Sequence, residues 1–184
     1  ITTKPTAIQR EMIKALGERG EKIRNKAVSP DADNMLKITN EGRMIALDPR
    51  IVNNLLPDVP DSRVSIVSRK IFDIWQQTKD DRKTIAVFCD LSTPSAKSAE
   101  KGFCVYTDLR DKLIGLGIPE KEIAFIHDAK NAKQKEKMFE RVNNGEIRVI
   151  MGSTSKMGAG TNIQKKLYAL FHLDCPWRPS DLEQ

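Results

Sequence analysis

The 184-residue chain has no run approaching the roughly 18 apolar residues of a membrane-crossing helix, so no transmembrane span is expected. No charged-then-apolar leader follows Ile1, which argues against a secretory signal. The start at Ile1 and the stop at Gln184 suggest a piece of a longer protein. Cysteine is scarce: Cys89, Cys104 and Cys175 lie far apart, no C-x-x-C occurs, and there are only two histidines. A structural zinc site needs about four clustered nitrogen or sulfur ligands, so none is expected. An odd number of cysteines at mostly apolar positions reads as buried free thiols in a reducing, cytoplasmic compartment. Two phosphate-binding signatures are also missing. No G-x-x-x-x-G-K-[ST] loop occurs, and Gly158-Ala159-Gly160 lacks the third glycine of the dinucleotide fingerprint.

With 39% hydrophobic and 30% charged residues, the chain can build a core and stay in solution. Its 31 Lys and Arg against 25 Asp and Glu leave +6, a modest excess. The excess is local. Residues 129–170 hold 9 basic and 3 acidic side chains (9 − 3 = +6), which fits either a phosphate-facing surface or a solvated helix face.

Residues 1–60 hold one helical pattern, with Ile8, Met12, Leu16 and Ile23 at near-helical spacing between Thr6 and Arg24. Irregular, proline-punctuated sequence follows. Asn40-Glu41-Gly42 reads as a turn, with a short helix around Met44–Leu47, and the section lacks enough apolar pattern to fold alone. Asp61 or Ser62 can cap the next helix, whose apolar face is Val64, Val67, Ile71, Ile74 and Trp75. Strand and helix patterns then alternate. Thr84–Cys89, Ile123–Ile126, Arg148–Met151 and Leu167–Leu173 read as strands, and 105–116 and 130–144 as helices. The pattern predicts an α/β domain over 61–184 with a mostly parallel sheet, preceded by a partly helical extension over 1–60.

Open α/β sheets bind ligands beyond the carboxyl ends of their strands, so the segments following each strand are the candidates. They are Asp90-Leu91-Ser92-Thr93-Pro94, His127-Asp128-Ala129, the stretch from Gly152 to Asn162, and Asp174 to Asp181. The third offers hydroxyls, glycines and Lys156 together, which suits phosphate or nucleic-acid contact but also a plain loop. His127 has no Ser or Cys nucleophile beside it in sequence and reads as a structural donor. Trp177, between Pro176 and Pro179, is a packing anchor or a base-stacking surface.

The spacing Ser153-Thr154 … Gly158-x-Gly160-x-Asn162, then Asp174-x-x-Trp177-x-Pro179-x-x-x-x-Gln184, resembles superfamily 2 helicases of the Swi/Snf type. There motif V reads S-T-x-x-x-G-x-G-x-N, and a later strand leads to D-x-x-W-N-P and the glutamine of motif VI. Arg178 stands where that branch has Asn. Thr84–Cys89 resembles the motif IV strand. The run Asp33-Asn34-Met35-Leu36-Lys37-Ile38-Thr39, with Gly42-Arg43, Ala46-Leu47-Asp48 and Pro176-Trp177-Arg178-Pro179, is similar to the helicase part of phage, plasmid and conjugative-element helicase–methylase proteins.

The resemblance implies the second, RecA-like lobe of an ATP-dependent DNA helicase or translocase. ATP and Mg²⁺ would be bound by a first lobe, the Walker motifs are absent here, and the motif VI arginines would follow Gln184. It further implies that Ser92, Thr93, Ser153, Thr154 and Ser155 meet the DNA backbone. Gly158, Gly160, Asn162 and Gln184 would face ATP and the first lobe, and 1–60 would connect the lobes. Lys156 joins the DNA set by its charge alone. The implied partners are DNA, the first lobe and an attached methylase domain. The implied fragment is inactive by itself, with no cofactor bound. Two other readings stand beside it. One is a passive nucleic-acid-binding module of the same fold. The other is a methyltransferase-type Rossmann domain, which needs a glycine-rich loop after its first strand, where Asp90–Pro94 has no glycine.

Overall fold

The computed structural model describes residues 3–94, 102–158 and 161–175. The chain divides into two compact units, Ile1–Arg63 and Val64–Gln184.

In the first unit, helix α1 spans Ala7–Arg24. Its start is a reciprocal cap: the Gln9 N–H donates to the Thr6 hydroxyl at 3.2 Å and the Thr6 N–H to Gln9 Oε1 at 2.9 Å. Helix α2 spans Met35–Leu47, capped by the Asn34 side chain, which accepts from the Lys37 N–H. This corrects the expected turn at Asn40-Glu41-Gly42, which lies inside a continuous helix. Local turn chemistry loses there to burial, because Leu16, Ile38 and Ile45 form a shared core with Met12 and Ile23 packed on it. Gly42 is tolerated in the helix interior because it faces Leu16 of α1: a Cβ would sit 3.6 Å from Leu16 Cδ1. Arg19 ties the same helices by pairing with both Asp33 and Glu41 at 2.8 Å.

The second unit is α/β, as the alternating pattern predicted. Helix α3 spans Arg63–Gln77, and strands β1 (Thr84–Phe88), β2 (Ile123–Phe125), β3 (Val149–Gly152) and β4 (Leu167–His172) form one sheet. The order is β2-β3-β1-β4 and every pairing is parallel, with Ala86 opposite both Ile150 and Leu170 and Ala124 opposite Ile150. Central strands buried on both faces explain the unbroken apolar run in β1. One face carries Ala86 and Ile150 against Met138, Phe139 and Val142 of the helix Ala132–Asn143. The other meets the helix Val105–Leu116, whose Tyr106 ring lies edge-on to Phe125 at 5.5 Å. That helix stops at Gly117, which has left-handed φ.

Arg148 was expected to open β3, and within 129–170 it counted toward the basic surface. It is instead buried, 1% exposed. Its Nε donates to Lys83 O at 3.0 Å and its Nη2 to Trp75 O at 2.8 Å and to Thr78 O and Oγ1 at 3.1 and 2.8 Å. The guanidinium also lies 5.1 Å from the Trp75 ring centroid. Burial pushes its pKa below the ordinary arginine value. Cys175 is a second correction: Cys89 and Cys104 are buried thiols, but Cys175 is exposed.

Candidate nucleic-acid interface

All four strands point the same way, so the segments after them gather at one edge of the sheet. After β3 the chain forms a single helical turn, Thr154–Met157, rather than the open loop read from its glycines and hydroxyls. Met157 decides this, since its side chain is 2% exposed in the core beneath β3. The turn packs on the 3-10 segment Ile126–Asp128, which follows β2.

Two glycines of this stretch are already committed to packing. A Cβ on Gly152 would lie 2.5 Å from Ile126 Cγ2 and 2.6 Å from Met157 Cγ. One on Gly158 would lie 2.5 Å from the Thr154 carbonyl oxygen. Gly152→Ala is therefore expected to destabilise the domain by about 1–3 kcal/mol through overpacking, read as a lower midpoint in denaturant at unchanged slope.

The hydroxyls divide into two kinds. Thr154 is turned inward: its N–H donates to Asp90 Oδ1 at 2.7 Å and its hydroxyl to Asp90 Oδ2 at 2.8 Å. Ser153 is buried, with its Oγ 3.0 Å from that of Ser155. Ser92 is buried too, and its Oγ accepts the Val105 N–H at 3.0 Å, capping the first turn of the helix Val105–Leu116. Thr93 is half-buried beside it. Ser155 and Lys156 are exposed, and the Lys156 carbonyl is held by Lys135 Nζ at 2.7 Å. Asn162 is also exposed, its carbonyl accepting from Asn143 Nδ2 at 2.7 Å. Gly160, Trp177 and Gln184 lie outside the described residues.

Neither Cys89 nor Tyr106, both buried at this edge, is an activated nucleophile. Burial pushes the Cys89 thiol far above its usual range and does the same to the Tyr106 phenol, which donates to the Cys89 carbonyl. His127 is held below its usual value, first by burial and then by the Lys156 charge. Its ring is edge-on to Tyr106 at 5.3 Å, and its buried Nδ1 finds no hydrogen-bond partner among the described residues. The structural-donor reading of His127 is thus unmet at Nδ1.

Sequence reasoning placed Asp90 after β1 without giving it a role, yet it organises this edge. The available signal was a carboxylate directly following a buried strand, in a sheet that also brings Ser153-Thr154 to the same edge. What the arrangement presents outward is an exposed hydroxyl and a cation on a rigid turn, beside the lysine-rich helix Ala132–Asn143.

A family comparison decides the broad assignment, because the model of the helicase conserved C-terminal domain matches residues 67–184. The chain belongs to that family. No curated protein matches it. In helicases this domain is part of a nucleic-acid-binding module that works with an N-terminal lobe, and the family implies ATP with Mg²⁺ in the parent protein. There is no G-x-x-x-x-G-K-[ST] loop, and among the described residues no three His, Cys, Asp or Glu side chains form a metal-holding group. No helix among the described residues is long and apolar enough to cross a membrane.

Proposed function

We propose that this chain is the second RecA-like lobe of an ATP-dependent DNA helicase or translocase of the Swi/Snf type. On this reading it is similar to the helicase part of mobile-element helicase–methylase proteins. In this reading the lobe closes over ATP held by a first lobe and grips one DNA strand, while residues 1–60 connect the two lobes. The observation that carries it is the Thr154–Met157 turn, which sets exposed Ser155 and Lys156 at the carboxyl edge of a parallel sheet within the matched helicase domain. Gly158, Gly160, Asn162 and Gln184 are assigned to the side facing ATP and the first lobe.

Within this reading the proposed DNA set divides in two. Ser155 and Lys156 meet phosphate directly, whereas Ser92, Ser153 and Thr154 shape the surface from beneath, and Thr93, next to Ser92, stays in the DNA set. A carboxylate already accepts both Thr154 donors. A hydroxyl has one proton to give, so Thr154 cannot serve Asp90 and a phosphate at once.

The test is DNA binding by the chain as a function of salt. One lobe supplies half of a strand-gripping channel, so the expected dissociation constant is in the non-specific range, about 10⁻⁴–10⁻⁶ M, independent of sequence. Affinity should fall steeply with salt, and Lys156→Ala should reduce the log–log salt slope by about 1. Binding that ignores salt, or a slope unchanged by Lys156→Ala, contradicts the assigned contact.

A further inference from the structure

Two carboxylates at the edge just described are joined in series across three neighbouring strand ends. Asp174, 6% exposed, lies just past β4 and accepts the backbone N–H groups of Asp90 and Leu91 at 2.9 and 2.7 Å on Oδ2. Asp90, just past β1, in turn accepts the N–H and the hydroxyl of Thr154, just past β3. In the sheet these strands are consecutive, β3-β1-β4. Charge-assisted bonds of this kind are roughly twice as strong as neutral ones. Two carboxylates so close repel each other, so the pair persists because each is tied to donors that fix its place. The only N–H and only hydroxyl proton of Thr154 both go to Asp90. The backbone N–H of Asp90 goes to Asp174.

We infer that Asp90 and Asp174 are positioning residues forming a relay, so that a displacement of the chain after β4 is transmitted to the Thr154–Met157 turn, and the reverse. This rests on the helicase reading in one respect: there, the chain after β4 leads to lobe-facing residues and the turn meets DNA. The relay then sets how strongly DNA stimulates ATP hydrolysis. Neither carboxylate is assigned a contact with DNA or nucleotide in this reading.

Two measurements test it. The first needs no nucleotide: amide hydrogen exchange in the 184-residue chain. Asp174→Asn is expected to speed exchange not only at Asp90 and Leu91, which it touches, but also at Thr154, by about tenfold, through loss of the Asp90 anchor. Should Asp174→Asn fail to fold, Asp174→Glu, which keeps the charge on a longer arm, is expected to give the same acceleration at Thr154. An unchanged Thr154 amide in a folded variant overturns the relay. The second measurement uses the protein that joins this domain to its ATP-binding lobe. Asp90→Asn and Asp174→Asn should each keep basal hydrolysis and lower the ratio of DNA-stimulated to basal rate by about tenfold, a typical coupling between sites. The double variant should be no worse than the weaker single one, because both break one chain of bonds. Additive losses, or undiminished stimulation, overturn the coupling role. A wild-type joined protein without any DNA-stimulated hydrolysis would overturn the helicase reading instead, and the exchange result would then decide the relay alone.

Discussion

Arg148→Met should lower the stability of the Val64–Gln184 unit by about 3 kcal/mol, a fall of roughly 10 °C in melting temperature. The substitution keeps a long apolar stem but removes all the donors. Trp75 O, Thr78 O, Thr78 Oγ1 and Lys83 O then lose their partner in a largely buried site. Each buried acceptor left unmade costs about 1–3 kcal/mol. The full sum is not expected, for two reasons. Replacing a buried cation recovers part of its desolvation penalty. The half-buried end of α3 can also admit water to some of the freed carbonyls. The stacking on Trp75 is lost as well, worth about 0.5–2 kcal/mol. Trp75 stays anchored because its Nε1 donates to Glu122 at 2.8 Å, and Glu122 keeps its pairing with Arg82 at 3.1 Å. Thermal unfolding followed by circular dichroism measures the change. A shift under about 2 °C would mean that the Arg148 bonds are replaced by water at little cost.

Arg148 also shows why charge counting read the surface imperfectly. A charged residue just before a β-strand, two positions after Glu146, looks like a solvated flank, and nothing local distinguishes it from Lys165 or Lys166. Its burial comes from α3, whose last carbonyls sit 70 or more residues earlier in the chain. Lys135 is similarly occupied, reaching the Lys156 carbonyl and the Phe139 ring, and Arg141 pairs with Glu146 at 3.3 Å. The cationic face free for a nucleic acid is therefore narrower than the +6 of residues 129–170 implied.

The strands and long helices were legible because their signals are local. β1 announced itself by an apolar run that only two-sided burial explains, and α3 by a face repeating every three to four residues. The α2 error had the opposite cause: Asn-Glu-Gly is a good turn in isolation, and only the contact of Leu16 with Ile38 and Ile45 keeps it helical. At the site, the edge itself was legible from topology, because parallel strands end together. The state of its hydroxyls was not. Whether Thr154 points to solvent or to Asp90 depends on residues 64 positions apart meeting at the sheet edge, and no spacing rule reports that.

The second large effect concerns chemistry. Hydrolysis of ATP requires a loop to cradle the phosphates and charge to stabilise the transition state, and an arginine supplied in place is worth roughly 10³–10⁵ in rate. This chain has no G-x-x-x-x-G-K-[ST] loop, and no cluster of three or more His, Cys, Asp or Glu side chains that could hold a metal occurs among the described residues. Among the described residues after the strand ends, the exposed ones include Ser155 and Lys156, which can bind and orient but do not form a phosphate cradle. The isolated chain is thus expected to hydrolyse ATP at background rate with or without DNA. The same domain joined to a lobe carrying the phosphate-binding loop should turn over, and faster with DNA.

The most direct measurement is steady-state ATP hydrolysis by the isolated chain and by that joined protein, each with and without single-stranded and duplex DNA. A second helicase lobe gives background rates in the first case and DNA-stimulated turnover in the second. DNA-stimulated hydrolysis by the isolated chain, or a joined protein indifferent to DNA, would contradict the assignment.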